Sequence, residues 1–358
     1  MWEITEESLE AIALGTGILG TGGGFNPYIG LLRAREIIRK YGPVKVLLPE
    51  ELTDNDKVVC VGGIGAPTVD IEKIRGTDSY TALRAMEDQT NTKATALISG
   101  EIGGGNSIEP IIAGAMANLP IVDADGMGRA FPELQMITFF MFGVSHNPTI
   151  ICDEKGNVSV FPNSIDPVWM EKMSRAVCVQ MGSIATWAFA PMTSKEVQDT
   201  AIPYTMTLAK KLGESILKSQ SNKTDPINAI FDTIPGVILF QGKIVDVERR
   251  IVGGFTRGNL SIEGMDTFLG QSMEIDFQNE NLIAKISGNT VCTVPDLICI
   301  VDTERGEPIT TELLRYGFRV SVLGLPAPEL LTRPEALAVV GPKAFGYDED
   351  FKPLRVTK

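Results

Sequence analysis

The sequence predicts an α/β N-terminal domain with a mostly parallel sheet over residues 1–165, followed by a β-rich α+β second domain over residues 166–358. Three observations carry this. Short apolar runs alternate with helix-length segments from Glu6 to Val122, the rhythm of parallel strands covered by helices on both faces. Pro162-Asn163-Ser164 and Asp166-Pro167 then punctuate the chain, and beyond Pro235-Gly236 one short strand follows another. A length of 358 residues suits two domains, each of about 100–200 residues.

The elements follow in order. Glu6–Leu19 has Leu9, Ile12 and Ala13 at helical spacing and runs into Gly20-Thr21-Gly22-Gly23-Gly24-Phe25. Asn26 is placed as an N-cap and Pro27 as a first-turn proline of a second helix, which Tyr41-Gly42-Pro43 stops. Val44–Leu48 and Lys57–Val61 are short strands, Asp78–Gln89 a helix, and Ala94–Ser99 a strand entering the loop Gly100–Asn106. Ser107–Asn118 is a helix and Leu119–Val122 a strand that ends in Asp123-Ala124-Asp125-Gly126-Met127-Gly128-Arg129. Asp153–Asn157 between two apolar runs marks a hairpin over Thr149–Phe161. The second half opens with helices over Val168–Met181, Tyr204–Lys218 and Pro226–Asp232. Strands are expected at Val237–Val247, Ile251–Thr256, Ser272–Phe277, Asn281–Ser287, Leu297–Val301 and Arg319–Leu323.

Composition excludes several classes. A net charge of −13 repels nucleic acid and anionic membrane surfaces. No apolar run reaches the ~18 residues of a membrane span, and Met1-Trp2-Glu3-Ile4 lacks a basic, signal-like start, so a cytoplasmic location is expected. Five dispersed cysteines without a CxxC pair read as reduced core thiols. One histidine cannot build a His-rich zinc site; His146, in Val144-Ser145-His146-Asn147-Pro148, reads as a turn residue, with a catalytic role as the alternative.

Four glycine-dense segments remain as candidate chemistry. Gly20–Asn26 lies between two helices, where successive glycines and a helix N-terminus can turn N–H groups toward an oxygen. No Lys-Ser/Thr pair follows and no strand precedes it, so it is neither a P-loop nor a dinucleotide fingerprint; a tight helix–helix turn is the plain alternative. Gly62-Gly63-Ile64-Gly65-Ala66-Pro67 follows a strand, with Glu72 and Lys73 downstream. In Gly100–Asn106, Glu101 and Asn106 stand out: Asn106 either caps a helix or binds a planar amide through its donor and acceptor. Asp123 and Asp125, just past a buried strand, need partners. Arg129 is one candidate; a metal, a water or substrate N–H groups are others. Loops at strand ends of such sheets form ligand sites, so Thr21, Asn26, Glu101, Asn106, Asp123 and Asp125 are expected to line one cleft.

Read together, these segments resemble a known family. The matching residues are Gly20–Tyr28, Gly65-Ala66-Pro67 with Glu72-Lys73, Gly100–Asn106, the specific run Leu119–Met136, and the late segment Gly341–Asp348. The chain is similar to the S-methyl thiohydantoin desulfurase family, formerly a domain of unknown function associated with hydantoinases and oxoprolinases. The resemblance implies hydrolysis of a carbon–sulfur bond on a five-membered hydantoin-type ring, giving a hydantoin and a thiol. Chemical inference then assigns Asp123 or Asp125 as the water-activating base and Glu101 as the group that hydrogen-bonds or protonates a ring nitrogen. Backbone N–H groups of Gly22, Gly23 and Gly24 would hold an oxygen, with Thr21, Asn26, Glu72, Asn106 and Arg129 binding or orienting the substrate. No cofactor is required; a divalent metal at Asp123 and Asp125, with Glu101, is an option. The expected partners are a small cyclic-amide substrate and further copies of this chain, a homo-oligomer. The alternative is a noncatalytic or metabolite-binding subunit of a hydantoinase- or oxoprolinase-type assembly; a nucleotide-dependent enzyme ranks last.

Overall fold

The computed structural model describes residues 2–73 and 75–356, so the outer limits of the two expected domains, residues 1 and 358, lie outside the described residues. Two sheets organise the chain. The first contains Trp2–Ile4 (β1), Val44–Leu47 (β2), Val58–Gly65 (β3), Ala96–Ser99 (β4), Ile121–Asp125 (β5), Thr149–Cys152 (β6), Val158–Phe161 (β7), Ile184–Phe189 (β8) and Ile202–Pro203 (β9). Its order is β1-β2-β5-β4-β3-β8-β6-β7, with β9 paired to β5. The four central strands β2, β5, β4 and β3 run parallel. The flanking strands are antiparallel. The second sheet contains Val237–Val252 (β10), Phe255–Gly264 (β11), Ser272–Gln278 (β12), Glu280–Ile286 (β13), Asn289–Thr293 (β14), Leu297–Asp302 (β15) and Arg319–Leu325 (β16). It is antiparallel in the order β14-β13-β12-β11-β10-β16-β15, and it curls until Asn281 of β13 donates from Nδ2 to Ile298 O of β15 at 2.8 Å.

The first sheet therefore takes two strands, β8 and β9, from beyond Asp166-Pro167. Helix Thr205–Asn222 also crosses back, packing on helix Leu9–Leu19. The crossing is backbone-close: a Cβ on Gly15 would lie 1.7 Å from Ala209 O, and one on Gly213 1.8 Å from Ala11 O. Glycine at both contacts is what lets these helices touch.

Local signals placed the early elements well. Asn26 Oδ1 accepts from Tyr28 N at 3.0 Å, so it caps helix Pro27–Tyr41 with Pro27 in the first turn. Two segments differ from expectation. Gly62–Gly65 belong to β3 itself, and Asp123–Asp125 complete β5; both runs are strand, not loop. Strand glycines usually mark a close approach, and here large aromatics supply it. In the second sheet, the two strands expected at 237–247 and 251–256 are one hairpin, β10 and β11, turning at Gly253-Gly254.

Candidate active site

The parallel strands β3, β4 and β5 end on the same side, at Gly65, Ser99 and Asp125. That edge is where open α/β sheets hold ligands. The start of β13, from the second half of the chain, covers it. Between them lies a cavity of about 30 Å3 lined by Gly24, Gly63, Glu101, Asn106, Trp187 and Glu280 among others.

Trp187 on β8 forms one wall. A Cβ on Gly62 would lie 2.3 Å from Trp187 Cζ2, and one on Gly100 2.4 Å from Cη2. The indole fits only because both positions are glycine. Its Nε1 donates to Gly63 O at 2.9 Å, and Phe189 stacks against it with ring centroids 4.4 Å apart.

Asn106 forms the next wall. Its Oδ1 accepts from Gly63 N, and its Nδ2 donates to Gly63 O at 3.0 Å. Nδ2 also donates to Glu101 Oε1 at 2.7 Å. The other Glu101 oxygen accepts from Phe131 N at 3.2 Å. Burial pushes Glu101 up to about 8, the Asn106 and Phe131 donors pull against it, and the nearby Asp125 charge adds to the rise. A carboxyl held there exchanges its proton near neutrality, the condition for acid–base work.

Glu280 supplies the third wall. It is 2% exposed, and its Oε1 accepts from Gly24 N at 3.3 Å. Its Oε2 is buried without a hydrogen-bond partner among the described residues. Burial, and then the charge of Glu101, hold the carboxyl well above its usual range. Two buried carboxyls from opposite halves of the chain thus share one cleft, and each makes the other harder to ionise.

Comparison with known families covers both halves of the chain. A family model described as the S-Me-THD-like N-terminal domain matches residues 7–163, and one described as the S-Me-THD-like C-terminal domain matches residues 165–354. The chain belongs to the S-Me-THD-like family. This is the family that the glycine and aspartate segments resemble. The fold is also that of an X-ray crystal structure of a protein from Chromobacterium violaceum, 23% identical, with a TM-score of 0.81 over 99% of this chain and 100% of the other. No curated protein matches.

Of the residues expected to bind or catalyse in this S-Me-THD-like protein, Glu101, Asn106 and Gly24 line the cleft. The rest sit elsewhere. Asp123 Oδ1 accepts from Thr207 N at 2.9 Å, and its Oδ2 accepts from the Thr207 hydroxyl. The Asp123 carbonyl takes Tyr204 N at 2.6 Å. Asp123 thereby anchors the start of helix Thr205–Asn222. Asp125 Oδ2 accepts from Ile102 N, Met127 N and Gly128 N at 2.8–2.9 Å. Burial nevertheless pushes its carboxyl up to about 7 against the pull of those amides.

Arg129 is not the partner of these aspartates. Its Nε donates to Ala130 O, Nη1 to Pro295 O and Asp296 O, and Nη2 to Thr21 Oγ1 and Asn281 O. All five guanidinium donors are used, three of them joining the halves through Pro295, Asp296 and Asn281. Thr21 is buried there too. The Gly20–Phe25 loop is clamped rather than open. Gly23 N donates to Gly20 O and Gly24 N to Glu280. Asn281 N and Thr311 N donate to Thr21 O and Gly22 O, each at 2.8 Å. Gly22 and Gly23 back the cleft, and Asn26 is spent on its cap and on Glu312. Glu72 is exposed, while Lys73 beside it turns inward to Glu154, Met181 O and Ile184 O. His146 lies at the turn before β6, with Nε2 3.2 Å from Ser164 O.

Trp187 and Glu280, and with them the lining residues Arg175 and Asn279, escaped the sequence reading. Trp187 sits in Ile184–Phe189, apolar apart from Thr186, which is itself a buried-strand signal. Glu280 has no local signal at all. Among the described residues no three His, Cys, Asp or Glu side chains gather as a metal-binding set, and all five cysteines are free and buried. No described helix is long and apolar enough to cross a membrane.

Proposed function

We propose that this protein hydrolyses the carbon–sulfur bond of an S-methyl thiohydantoin or a related thiohydantoin, with Glu101 and Glu280 sharing the acid–base work. The observation that carries this reading is the buried pair itself: two carboxyls, one proton-poised by the other, flanking a narrow slot. Membership of the S-Me-THD-like family supports a thiohydantoin-type ring as the ligand, and the carbon–sulfur bond is the one such a ring offers to attack by water.

The ring carbon that bears sulfur is amidine-like. The protonated member of the pair hydrogen-bonds the adjacent ring nitrogen and raises the electrophilicity of that carbon. The ionised member takes a proton from water as its oxygen attacks, forming a carbon–oxygen bond. The protonated carboxyl gives its proton to the ring nitrogen, the carbon–sulfur bond breaks, the thiolate takes the proton that the other carboxyl drew from water, and the new hydroxyl gives its proton to the emptied carboxylate as it becomes the hydantoin carbonyl. Water and the S-methyl compound go in; hydantoin and methanethiol come out. Thiolate leaves readily, so a weak acid in the site suffices. Of the bases first expected, Asp125 supports the loop that carries Glu101 by accepting from Ile102 N, and Asp123 anchors helix Thr205–Asn222 in this reading. No cofactor is needed for these steps.

The test is incubation of the purified protein with S-methyl thiohydantoins, thiohydantoins and hydantoins, with and without a chelator, following thiol release and hydantoin formation. Thiol release that survives the chelator, and falls by about 10²–10⁴-fold in Glu101→Gln, is the expected result. No thiol from any member of the panel overturns the reading.

A further inference from the structure

We propose that β7 is the edge through which two copies of this chain pair, strand against strand, about a two-fold axis at Ser159. β7 ends the order of the first sheet, with β6 on one side and no strand on the other among the described residues. Asp153 N donates to Asn157 O at 3.1 Å, so these residues form a bonded pair at the mouth of the hairpin. Bonded and non-bonded pairs alternate along an antiparallel ladder. Cys152–Val158 and Ile150–Val160 are therefore non-bonded pairs, and the N–H and C=O groups of Val158 and Val160 point away from β6. Those groups are self-complementary. With Ser159 on the axis, Val158 of one copy lies opposite Val160 of the other, and each such pair exchanges both of its N–H···O=C bonds.

Charge selects a second copy as the occupant. The chain carries a net charge of −13, so two copies repel over most of their surfaces. From Gly156 to Ile165 no charged residue occurs, and here they meet without like charge. Open sheet edges are usually guarded by a lysine, a proline, a bulge or an inward-pointing charge. β7 has none of these. Its register to β6 runs unbroken from Val158 to Phe161, and Pro162 follows only where the strand ends. The Val158 and Val160 side chains are exposed, and β-branched side chains opposite one another across strands stabilise the pairing. A lasting interface buries about 1,200–2,000 Å2 in all, more than a short strand covers. Ile165, 83% exposed, and Val168 and Trp169, 45% and 51% exposed at the start of helix Pro167–Gln180, follow directly on β7. Antiparallel pairing sets this end of one copy beside the hairpin turn of the other, where these side chains add apolar area to the contact.

Sedimentation velocity of the full chain reads the pairing, with circular dichroism as the check on folding. The wild type should sediment as a dimer. Val158→Lys with Val160→Lys sets lysine opposite lysine at both pairs and should give a folded monomer. Val158→Lys with Val160→Glu sets lysine opposite glutamate at both pairs and should restore the dimer, a recovery that only this register produces. Amide hydrogen exchange at Val158 and Val160 should be slow in the wild type and fast in the monomeric variant. A wild type that sediments as a monomer, leaving the edge to a different chain, overturns the proposal. So does a folded lysine–lysine variant that stays dimeric, or a folded lysine–glutamate variant that stays monomeric.

Discussion

Asn106 holds Glu101 at 2.7 Å while both ends of its own side-chain amide are fixed on the backbone of Gly63. One asparagine thus locks β3 to the loop after β4 and supplies the hydrogen bond that favours the ionised form of Glu101. Asn106→Ala removes that donor, so the Glu101 carboxyl should rise above about 8. The limb of the kcat/KM profile that reports its ionisation should move to higher pH, with turnover down by about 10²-fold. Asn106→Asp, adding a like charge, should move the limb in the same direction. A profile unchanged in both variants would remove Glu101 from the chemistry.

Buried carboxyls also set the pH dependence of stability. Burial pushes Glu101 up to about 8, and Asp125 and Glu312 each up to about 7. Unfolded carboxyls titrate near about 4. The folded state therefore binds more protons between these limits, and stability falls as pH rises through the folded values. Other carboxyls act oppositely. Burial raises Glu109, but Arg33 and Arg75 outweigh it and hold it below its usual value, so its contribution is lost in acid. Melting temperature should peak at about pH 5 and decline toward pH 8.5. Glu312→Gln should flatten the decline without touching the cleft. A melting temperature that climbs steadily from pH 5 to 8.5 contradicts this.

How much of this was legible depended on where each partner lay. Helix Pro27–Tyr41 was readable because Asn26 and its acceptor amide are neighbours. The parallel core was readable because buried strands announce themselves as apolar runs. Gly62–Gly65 misled, since glycine is rare in strands; the reason for Gly62 is Trp187, more than a hundred residues away in sequence, and Gly63 makes room for the Phe25 ring. Asp123 and Asp125 attracted attention as unpaired carboxylates, yet their partners are backbone amides and Thr207, invisible to side-chain pairing logic. Glu280 was out of reach because its contact with Gly24 spans 256 positions and nothing beside it in the sequence carries a matching charge.

The aspartates can be separated by function. Asp123→Asn exchanges an acceptor-only carboxylate for an amide that also donates, facing Thr207 N, so the start of helix Thr205–Asn222 loosens. Melting temperature should fall, with turnover per folded molecule within about threefold of wild type, far short of the 10²–10⁴-fold loss of a base. Asp125→Asn should cost stability too, because Oδ2 alone takes three amides. A normal melting profile with turnover lost in either variant would restore the aspartates as bases.

Gly23 offers a way to move Glu280 without mutating it. A Cβ at Gly23 would lie 2.0 Å from Glu280 Oε1 and 2.5 Å from Cδ. The Gly23 backbone is not left-handed, so alanine adds no φ strain, and the atoms in the way are the end of a side chain that can rotate. Gly24 is different: its φ is +73° and its Cβ would strike Gly103 O at 2.3 Å, a backbone clash that should unfold the loop. Gly23→Ala should therefore fold, with a melting temperature a few degrees lower, while the Glu280 carboxyl swings off Gly24 N and out of register with Glu101. If the pair acts together, kcat/KM should drop by at least about 10²-fold, because misplacing a reacting group by about 1 Å costs that much. Gly76→Ala, where a Cβ meets nothing within 4 Å, is the control and should change neither quantity. Wild-type turnover in a folded Gly23→Ala protein would mean that Glu280 stands beside the reaction and takes no part in it.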